Sequence, residues 1–381
     1  MKKILFIIIG VILAGSSLSA QGNVEFSGDI ETIYAVAAPW TDKDTSTGRF
    51  TLGNTSFTGK IDAYYNNSSA YAEASLSYDS ISKELELSLE ELWLDYTESF
   101  WGIRIGRQKA AWGKADGIDI TNVLCPSNMN SLAAMISDDP KLAIDAIRFS
   151  LNGNQFTADA YWIPFFTPSI NQFPTPETKI QNGEYGLKLS GYFSALDLSL
   201  YGFYGWDDIP IMAVNTEYKR MTMIGADAAL PIGETVLRLE AAYFPQRHFQ
   251  KTTGDSEKRN QLSALAGLDW MPSGWTLTAQ YYCDTVFGEL ETLEREEKYT
   301  HGATLSISKS LVNETLELSF ASVLGLNEYD SMLSPSIKYS ISDQISLGAN
   351  AYIFVPGPDR DGKYGAYKDL SSICINAKFS F

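Results

Sequence analysis

The stretch SGWTLTAQYY, residues 273–282, decides the fold of this chain. Trp275, Leu277, Ala279 and Tyr281 share one parity, and Thr276, Thr278, Gln280 and Tyr282 share the other. Successive side chains of a β-strand point to opposite faces, so this alternation predicts a strand with one apolar and one polar face.

The same alternation recurs along the whole chain. It is clear in ALDLSLYGFY (195–204), NETLELSFAS (313–322) and SDQISLGANAYIFV (342–355). After residue 20 no apolar run approaches the roughly 18 residues that a transmembrane helix requires. The sequence therefore predicts many long strands and no membrane-spanning helix.

Turn signals divide these strands in two alternating sizes. Tight turns are predicted at 66–69, 98–100, 152–154, 193–196, 231–234, 272–274, 310–313 and 341–343. Longer polar connections are predicted at 39–49, 80–83, 114–140, 166–180, 207–218, 247–256, 289–296, 325–330 and 356–366. Eight turns and nine long connections separate 18 strands, with 16 as the alternative count. An even number allows the first strand to close on the last, as in a single-chain antiparallel barrel.

Two other all-β architectures are weighed against a barrel. A propeller blade places four short strands in about 40–45 residues, whereas each unit here holds two long strands. A soluble sandwich buries one face of every strand, and so many half-polar strands give more inward polar surface than a core tolerates.

Aromatic residues favour a barrel in a membrane, because they gather near the strand ends. One group comprises Tyr64, Tyr65, Tyr71, Phe100, Trp101, Tyr192, Phe193, Trp270 and Trp275; the other comprises Tyr161, Trp162, Phe165, Phe166, Phe203, Tyr204 and Trp206. Aromatic girdles flank the apolar band of bilayer-spanning barrels. The prediction is an all-β, transmembrane, antiparallel up-and-down β-barrel with short periplasmic turns and longer extracellular loops.

The N-terminus predicts export. Lys2 and Lys3 precede an apolar run, and small residues lead to Ala20, which is the pattern of a cleaved secretory signal peptide. Residues 1–20 are therefore assigned to the signal and 21–381 to a single barrel domain.

The C-terminus, ICINAKFSF (373–381), continues the alternation to its last residue. Phe379 and Phe381 belong to the predicted lipid-facing set. This ending resembles the C-terminal aromatic insertion signal of bacterial outer-membrane proteins. The resemblance implies the outer membrane of a diderm bacterium, with the barrel-assembly machinery and periplasmic chaperones as partners during biogenesis. It also implies contact with outer-membrane lipid and lipopolysaccharide-like lipids.

The connection 114–140 is the longest and mixes apolar with polar residues. Loops of such length in compact proteins are usually functional or disordered. We expect it to fold into the lumen, packing on the wall while it presents polar groups to a pore; an external loop is the alternative. The candidate constriction residues are Asp116, Asp119, Asn122, Asn128, Asp138 and Asp139.

A local motif leads to the same interpretation. Gly106-Arg107-Gln108, Trp112-Gly113, Asn122 and Pro126 resemble a pattern of outer-membrane porin-like barrels. The resemblance implies a substrate channel in which the long loop forms the constriction.

Strand parity predicts which charged residues face the lumen. The candidates are Lys60, Asp62, Arg104, Asp159, Lys188, Arg238, Glu240 and Lys378. Across the chain 13 acids have inward parity against six bases, which are Lys60, Arg104, Lys188, Arg238, Lys338 and Lys378. The predicted function is passive diffusion of small hydrophilic solutes with a modest preference for cations, since acidic lumens concentrate cations.

Two alternatives to a diffusion channel are considered. Inward aromatics such as Tyr201, Phe203, Tyr282, Tyr352 and Phe354 favour a transporter of hydrophobic compounds, for example long-chain fatty acids. Those barrels carry an N-terminal plug, whereas the strand pattern here begins at Val24. A structural or adhesive barrel would have longer loops than most of those predicted.

Three places break the alternation. The apolar set in LELSLEELWLDY (85–96) changes parity near Glu90-Glu91, which predicts a bulge. Arg107 has lipid-facing parity, so it requires a bulge or a position above the hydrocarbon band. Asp145 and Arg148 have opposite parities, so one of them must lie outside that band.

Other classes of function find no support in the sequence. The net charge is −17, which is a poor match for nucleic acid. Cys125, Cys283 and Cys374 are too few and too scattered for a disulfide framework or a metal site, and enzyme motifs, metal sites and cofactor motifs are not recognised. The sequence leaves the oligomeric state open, including assembly into a homo-oligomer.

Overall fold

The computed structural model describes residues 22–38, 47–130, 134, 139–212, 216–358 and 362–381. The signal peptide predicted for residues 1–20 and the candidate constriction residue Asp138 lie outside these described residues.

The described chain forms one antiparallel sheet of 18 strands. In chain order these are β1 (Asn23–Ala37), β2 (Phe50–Tyr65), β3 (Ser68–Asp79), β4 (Glu84–Thr97), β5 (Trp101–Gln108), β6 (Ile144–Asn152), β7 (Phe156–Ile163), β8 (Glu184–Phe193), β9 (Leu196–Trp206), β10 (Arg220–Ile232), β11 (Thr235–Gln250), β12 (Ser256–Trp270), β13 (Trp275–Phe287), β14 (Tyr299–Leu311), β15 (Leu316–Gly325), β16 (Asp330–Ser340), β17 (Ile345–Val355) and β18 (Ser372–Ser380). Two short 3₁₀ helices cover Ile180–Asn182 and Gly365–Leu370. Among the described residues, no helix has the length and apolar character required to cross a bilayer.

Each strand pairs with its neighbours in sequence, and β1 pairs with β18. The closing register runs from Asp29 opposite Ser380 to Ala37 opposite Ser372. Gly28 and Phe381 exchange two backbone hydrogen bonds of 3.0 Å beyond it. A sheet closed in this way has no free edge, and the predicted up-and-down barrel of 18 strands is confirmed.

The two ends of the barrel differ as predicted. All eight predicted tight turns lie at one end, hereafter the short-turn end, and the nine other connections lie at the other, the long-loop end, where two of them (80–83 and 326–329) have only four residues. The connection between β11 and β12 is only 251–255, shorter than predicted, because both strands continue beyond a bulge. The register shifts there between Phe244 and Arg247, and Gln246 has φ = +51°.

The alternation separates an apolar outer face from a mixed inner face. Outward side chains such as Leu94, Phe156, Ile224 and Ile375 are exposed. Tyr64, Tyr71, Tyr161, Tyr192 and Phe203, which the sequence placed in the girdles, instead face inward, and Tyr161 and Phe203 are buried. The clustering of aromatic residues near strand ends does not show on which face each side chain lies. The position of the residue within the alternation of its strand does.

The structure explains the three places in β4 to β6 where the alternation of the sequence breaks. The β3–β4 register shifts so that no residue of β3 lies opposite Glu90, which confirms the bulge. Arg107 needs no bulge: it pairs in register with Leu92 and Asp145 near the long-loop ends of β5 and β6. Its guanidinium lies 3.2 Å from the carboxylate of Asp145. Of the two residues with opposite parity, Asp145 therefore lies on the outer face and Arg148 on the inner face.

Candidate functional site: an inward-folded loop

The connection between β5 and β6, residues 109–143, enters the barrel and is held by a glutamate on β11, five strands from β6. Glu240, on the inner face of β11, is 4% exposed. One carboxylate oxygen accepts the backbone N–H groups of Lys114 (2.7 Å) and Ala115 (3.0 Å). The other accepts the backbone N–H and the hydroxyl of Thr121, both at 2.7 Å. The four bonds fix two points of the loop to one side chain.

Neighbouring wall residues hold the tip of this loop. Arg238 donates to the carbonyl of Lys114 (2.5 Å) and to the carboxylates of Asp116 (2.5 Å) and Asp269 (2.6 Å). Gln280 of β13 accepts from the backbone N–H of Asp116 (3.0 Å) and donates to its carbonyl (2.8 Å). Hydrogen bonds to charged groups are among the stronger ones in proteins, so the tip is well fixed.

A third set of contacts with the wall involves the N-terminal part of this loop. Gly113, with φ = +83°, donates its N–H to the hydroxyl of Tyr201 (3.1 Å), which in turn donates to the carboxylate of Asp227. A Cβ at Gly113 would lie 2.6 Å from Glu240, so only glycine allows the backbone to approach the carboxylate. Lys188 of β8 donates to the carbonyl of Ala111 (3.2 Å).

The underside of the loop packs on the barrel wall. Trp112, Ile120, Leu124 and Cys125 join one buried cluster; its wall members include Tyr161, Tyr201, Phe203, Met221, Met223, Phe244 and Leu265. The rings of Trp112 and Tyr201 are 4.9 Å apart between centroids. Burial raises the pKa of the Cys125 thiol to about 11, so it is protonated at neutral pH. The loop's apolar residues therefore face the wall, and its polar ones are free to face the lumen.

The charged candidates of the loop are paired in the structure. Asp116 bonds to Arg238, Asp119 lies 2.5 Å from Lys141, and Asp139 lies 2.7 Å from Lys109. Asn122 donates to Asp119 (3.4 Å), and Asn128 accepts from the side chain of Asn130 (2.8 Å).

A family model described as a protein of unknown function (DUF1302) matches residues 6–356. The chain belongs to the DUF1302 family. A comparison with curated protein sequences finds no match.

Several crystal structures resemble this DUF1302 barrel over nearly its whole length. OccAB2 of Acinetobacter baumannii has a TM-score of 0.59 at 11% identity, covering 94% of this chain and 98% of its own. OccK8 (OprE) of Pseudomonas aeruginosa has a TM-score of 0.57 at 10% identity, with coverages of 94% and 98%. The outer membrane channel DcaP of A. baumannii has a TM-score of 0.52 at 9% identity, with coverages of 95% and 98%. At these identities the comparison establishes a shared barrel fold.

The eight lumen-facing candidates of the DUF1302 chain all have inner-face positions. Lys60 lies 3.4 Å from Glu73, Lys378 lies 3.4 Å from Asp29, and Arg104 lies 2.9 Å from Asp95. Asp159 accepts from Ser150 (2.5 Å), and Asp62 accepts from Tyr64 (3.3 Å). Lys188, Arg238 and Glu240 are not spread along the lumen but gathered on the loop's contact surface.

Sequence reasoning missed further inner-face charges and a second inward loop. Beyond the bulge at Glu90, Glu91 and Asp95 face inward, and Arg148 lies 3.4 Å from Asp95. In the connection between β17 and β18, Tyr364 and Gly365 also lie inside the barrel, where their N–H groups bind Asp330. The close spacing of Gly357 and Gly362 in that connection was the feature of the sequence that could have indicated a second inward loop. Within the described residues, no group of three His, Cys, Asp or Glu side chains is arranged to hold a metal ion.

Proposed function

We propose that this protein is a porin-like outer-membrane channel for passive diffusion of small hydrophilic solutes. The observation that carries the proposal is an 18-strand closed barrel whose loop 109–143 is hydrogen-bonded to the inner faces of β11 and β13. Barrels of 16–18 strands leave an aqueous lumen. A loop fixed inside such a lumen narrows it. The shared fold with the outer membrane channel DcaP supports the same function.

The proposal includes the route to the membrane. Residues 1–20 direct export and are removed, and the barrel inserts with the help of periplasmic chaperones and the barrel-assembly machinery. Phe379 and Phe381 form the insertion signal, and the pairing of β1 with β18 removes the last open edge. The apolar outer face contacts outer-membrane lipid, including lipopolysaccharide-like lipids.

The loop contacts favour hydrophilic solutes over hydrophobic ones. A carrier of fatty acids needs inward aromatics that a ligand can reach. Tyr201 and Phe203 are each 4% exposed because they are packed under the loop. Phe354 packs against Tyr367, with 5.9 Å between ring centroids. These aromatics stabilise the inward loops, which leaves the polar side chains to line the solute path.

The charge balance favours cations. Most inner bases already face a carboxylate, as in the pairs Lys60–Glu73, Lys378–Asp29 and Arg238–Asp269. Glu84 and Glu86 have inner-face positions and are exposed. A lumen with low-dielectric walls focuses the field of such an excess and raises the local cation concentration.

Two measurements test these proposals. Proteoliposomes containing the purified protein should swell in isotonic neutral sugars, and uptake of a fluorescent fatty acid without swelling would favour the hydrophobic carrier instead. In a KCl gradient the reversal potential should indicate a preference for K⁺ that weakens as salt screens the lumen. Replacing Asp116, Asp119, Asp138 and Asp139 with Asn should move that potential towards zero. An anion-preferring wild-type channel would refute the charge assignment.

A further inference from the structure

The connection between β17 and β18 is pinned inside the long-loop end of the barrel. Asp330, the first residue of β16, faces inward and is 2% exposed. One of its oxygens accepts the backbone N–H groups of Tyr364 (2.5 Å) and Gly365 (3.1 Å). These groups begin the 3₁₀ helix Gly365–Leu370, so a single carboxylate fixes the turn that carries the loop inward.

Glycines in the loop and in the wall allow the two backbones to come close together at Asp330. A Cβ at Gly362 or at Gly325 would overlap the carboxylate of Asp330, and a Cβ at Gly357 would overlap the carbonyl oxygen of Glu328. Loop and wall can come this close only where both lack side chains.

A second contact joins the loop to β13, which is three strands from β16. The side chain of Tyr364 lies within interaction range of Tyr282 on the inner face of β13. Tyr282 lies two residues from Gln280, which binds Asp116 of the loop 109–143. Neighbouring positions on one face of a strand are about 7 Å apart, so the two inward loops meet the wall side by side.

We propose that the segment 362–371, held in place by Asp330, is a second constriction element of the channel. The two loops together cover the inner wall around β13 from both sides. They confine the solute path to the opposite side, where Glu84 and Glu86 of β4 remain exposed. This inference rests on the proposed channel function. The contact of Asp330 with the N–H groups of Tyr364 and Gly365, hereafter the lock, can be tested separately.

The lock is tested by limited trypsin digestion of the folded full-length protein at Lys363, an exposed residue beside the pinned turn. Asp330→Ala leaves the two backbone N–H groups without their acceptor. Losing two charge-assisted hydrogen bonds should raise the population of the open loop at least about tenfold. Cleavage should therefore be about tenfold faster or more than in wild type. Asp369→Ala, which removes an exposed carboxylate from the same loop, should cleave like wild type.

The constriction is tested by single-channel conductance of the same proteins. Asp330→Ala and Tyr364→Phe should both increase the conductance, and Asp369→Ala should not. Tyr364→Phe serves as the second variant if Asp330→Ala does not fold. Equal cleavage of wild type and the lock variants would overturn the lock, and faster cleavage with unchanged conductance would overturn the constriction. A wild-type protein that conducts nothing would instead refute the proposed channel function, while the cleavage result still decides the lock.

Discussion

At the scale of single residues, buried carboxylates organise the lumen by accepting backbone N–H groups. Glu240 accepts two from residues 114–115 and a third from Thr121, while Asp330 accepts two from residues 364–365. A loop that leaves regular structure has backbone donors that must find acceptors when they are buried. A carboxylate can satisfy several of them at once because it has two oxygens and only accepts.

Glu240→Ala is therefore expected to loosen the loop 109–143 and destabilise the barrel. Three backbone donors and one hydroxyl lose their acceptor, and leaving a buried donor unsatisfied costs about 1–3 kcal/mol. We expect the free energy of unfolding in urea, followed by tryptophan fluorescence, to fall by about 3 kcal/mol. Glu317→Ala is the matched control, since Glu317 is an exposed inner-face glutamate on β15, and it should change stability little.

Cys125 provides a second test at this scale. It is 1% exposed, and its sulfur accepts the N–H of Ala110 (3.2 Å). Its pKa of about 11 means that the reactive thiolate is scarce at neutral pH. In a variant with Ser at Cys283 and Cys374, a maleimide should label the unfolded chain rapidly and the folded protein hardly at all. Rapid labelling of the folded variant at pH 7 would show that the loop does not pack on the wall.

At the scale of elements, the inner faces of β4, β5 and β6 form a charged network. Asp95 lies 2.9 Å from Arg104 and 3.4 Å from Arg148. The guanidinium of Arg104 also lies 3.7 Å from the ring centre of Trp93. The bulge at Glu90 creates this arrangement, because it changes the parity of β4 and turns Trp93 and Asp95 inward.

Asp95→Asn is expected to leave two inward guanidinium groups without their shared carboxylate. The lumen would lose one negative charge beside two positive ones. The reversal potential in a KCl gradient should shift towards anions, and more strongly at low salt, where screening is weak. Asp145→Asn is the matched control, because Asp145 lies on the outer face of β6. A shift of equal size in both variants would contradict the assignment of faces.

The elements themselves were largely predictable, and their contacts with one another were not. Period-two alternation located the strands and all eight tight turns, and the parity change in residues 85–96 located the bulge. Alternation is a local property, so it reports which face a residue occupies. It could not show that Arg238 and Glu240 bind the loop, since their partners lie more than 115 residues away. It also could not show that the segment 362–371 bends inward, because that depends on Asp330 and on glycines in two separate elements.

The whole molecule is a closed barrel with two connections that fold inward. The loop 109–143 begins and ends at neighbouring residues, since Gln108 of β5 pairs with Ile144 of β6. All of its contacts with β11 and β13 can therefore be removed without moving any strand. The loop is an insertion between adjacent strands, and the barrel closes independently of it.

The most direct test of this account is the single-channel conductance of a variant in which residues 110–142 are replaced by a Gly-Ser linker. A linker of about five residues can join the paired ends of β5 and β6 as in an ordinary hairpin. The account predicts that wild type conducts in discrete steps and that the variant conducts in clearly larger ones, with a weaker preference for cations. Equal conductance in the two proteins, with the variant shown to be folded, would contradict the claim that this loop forms the constriction.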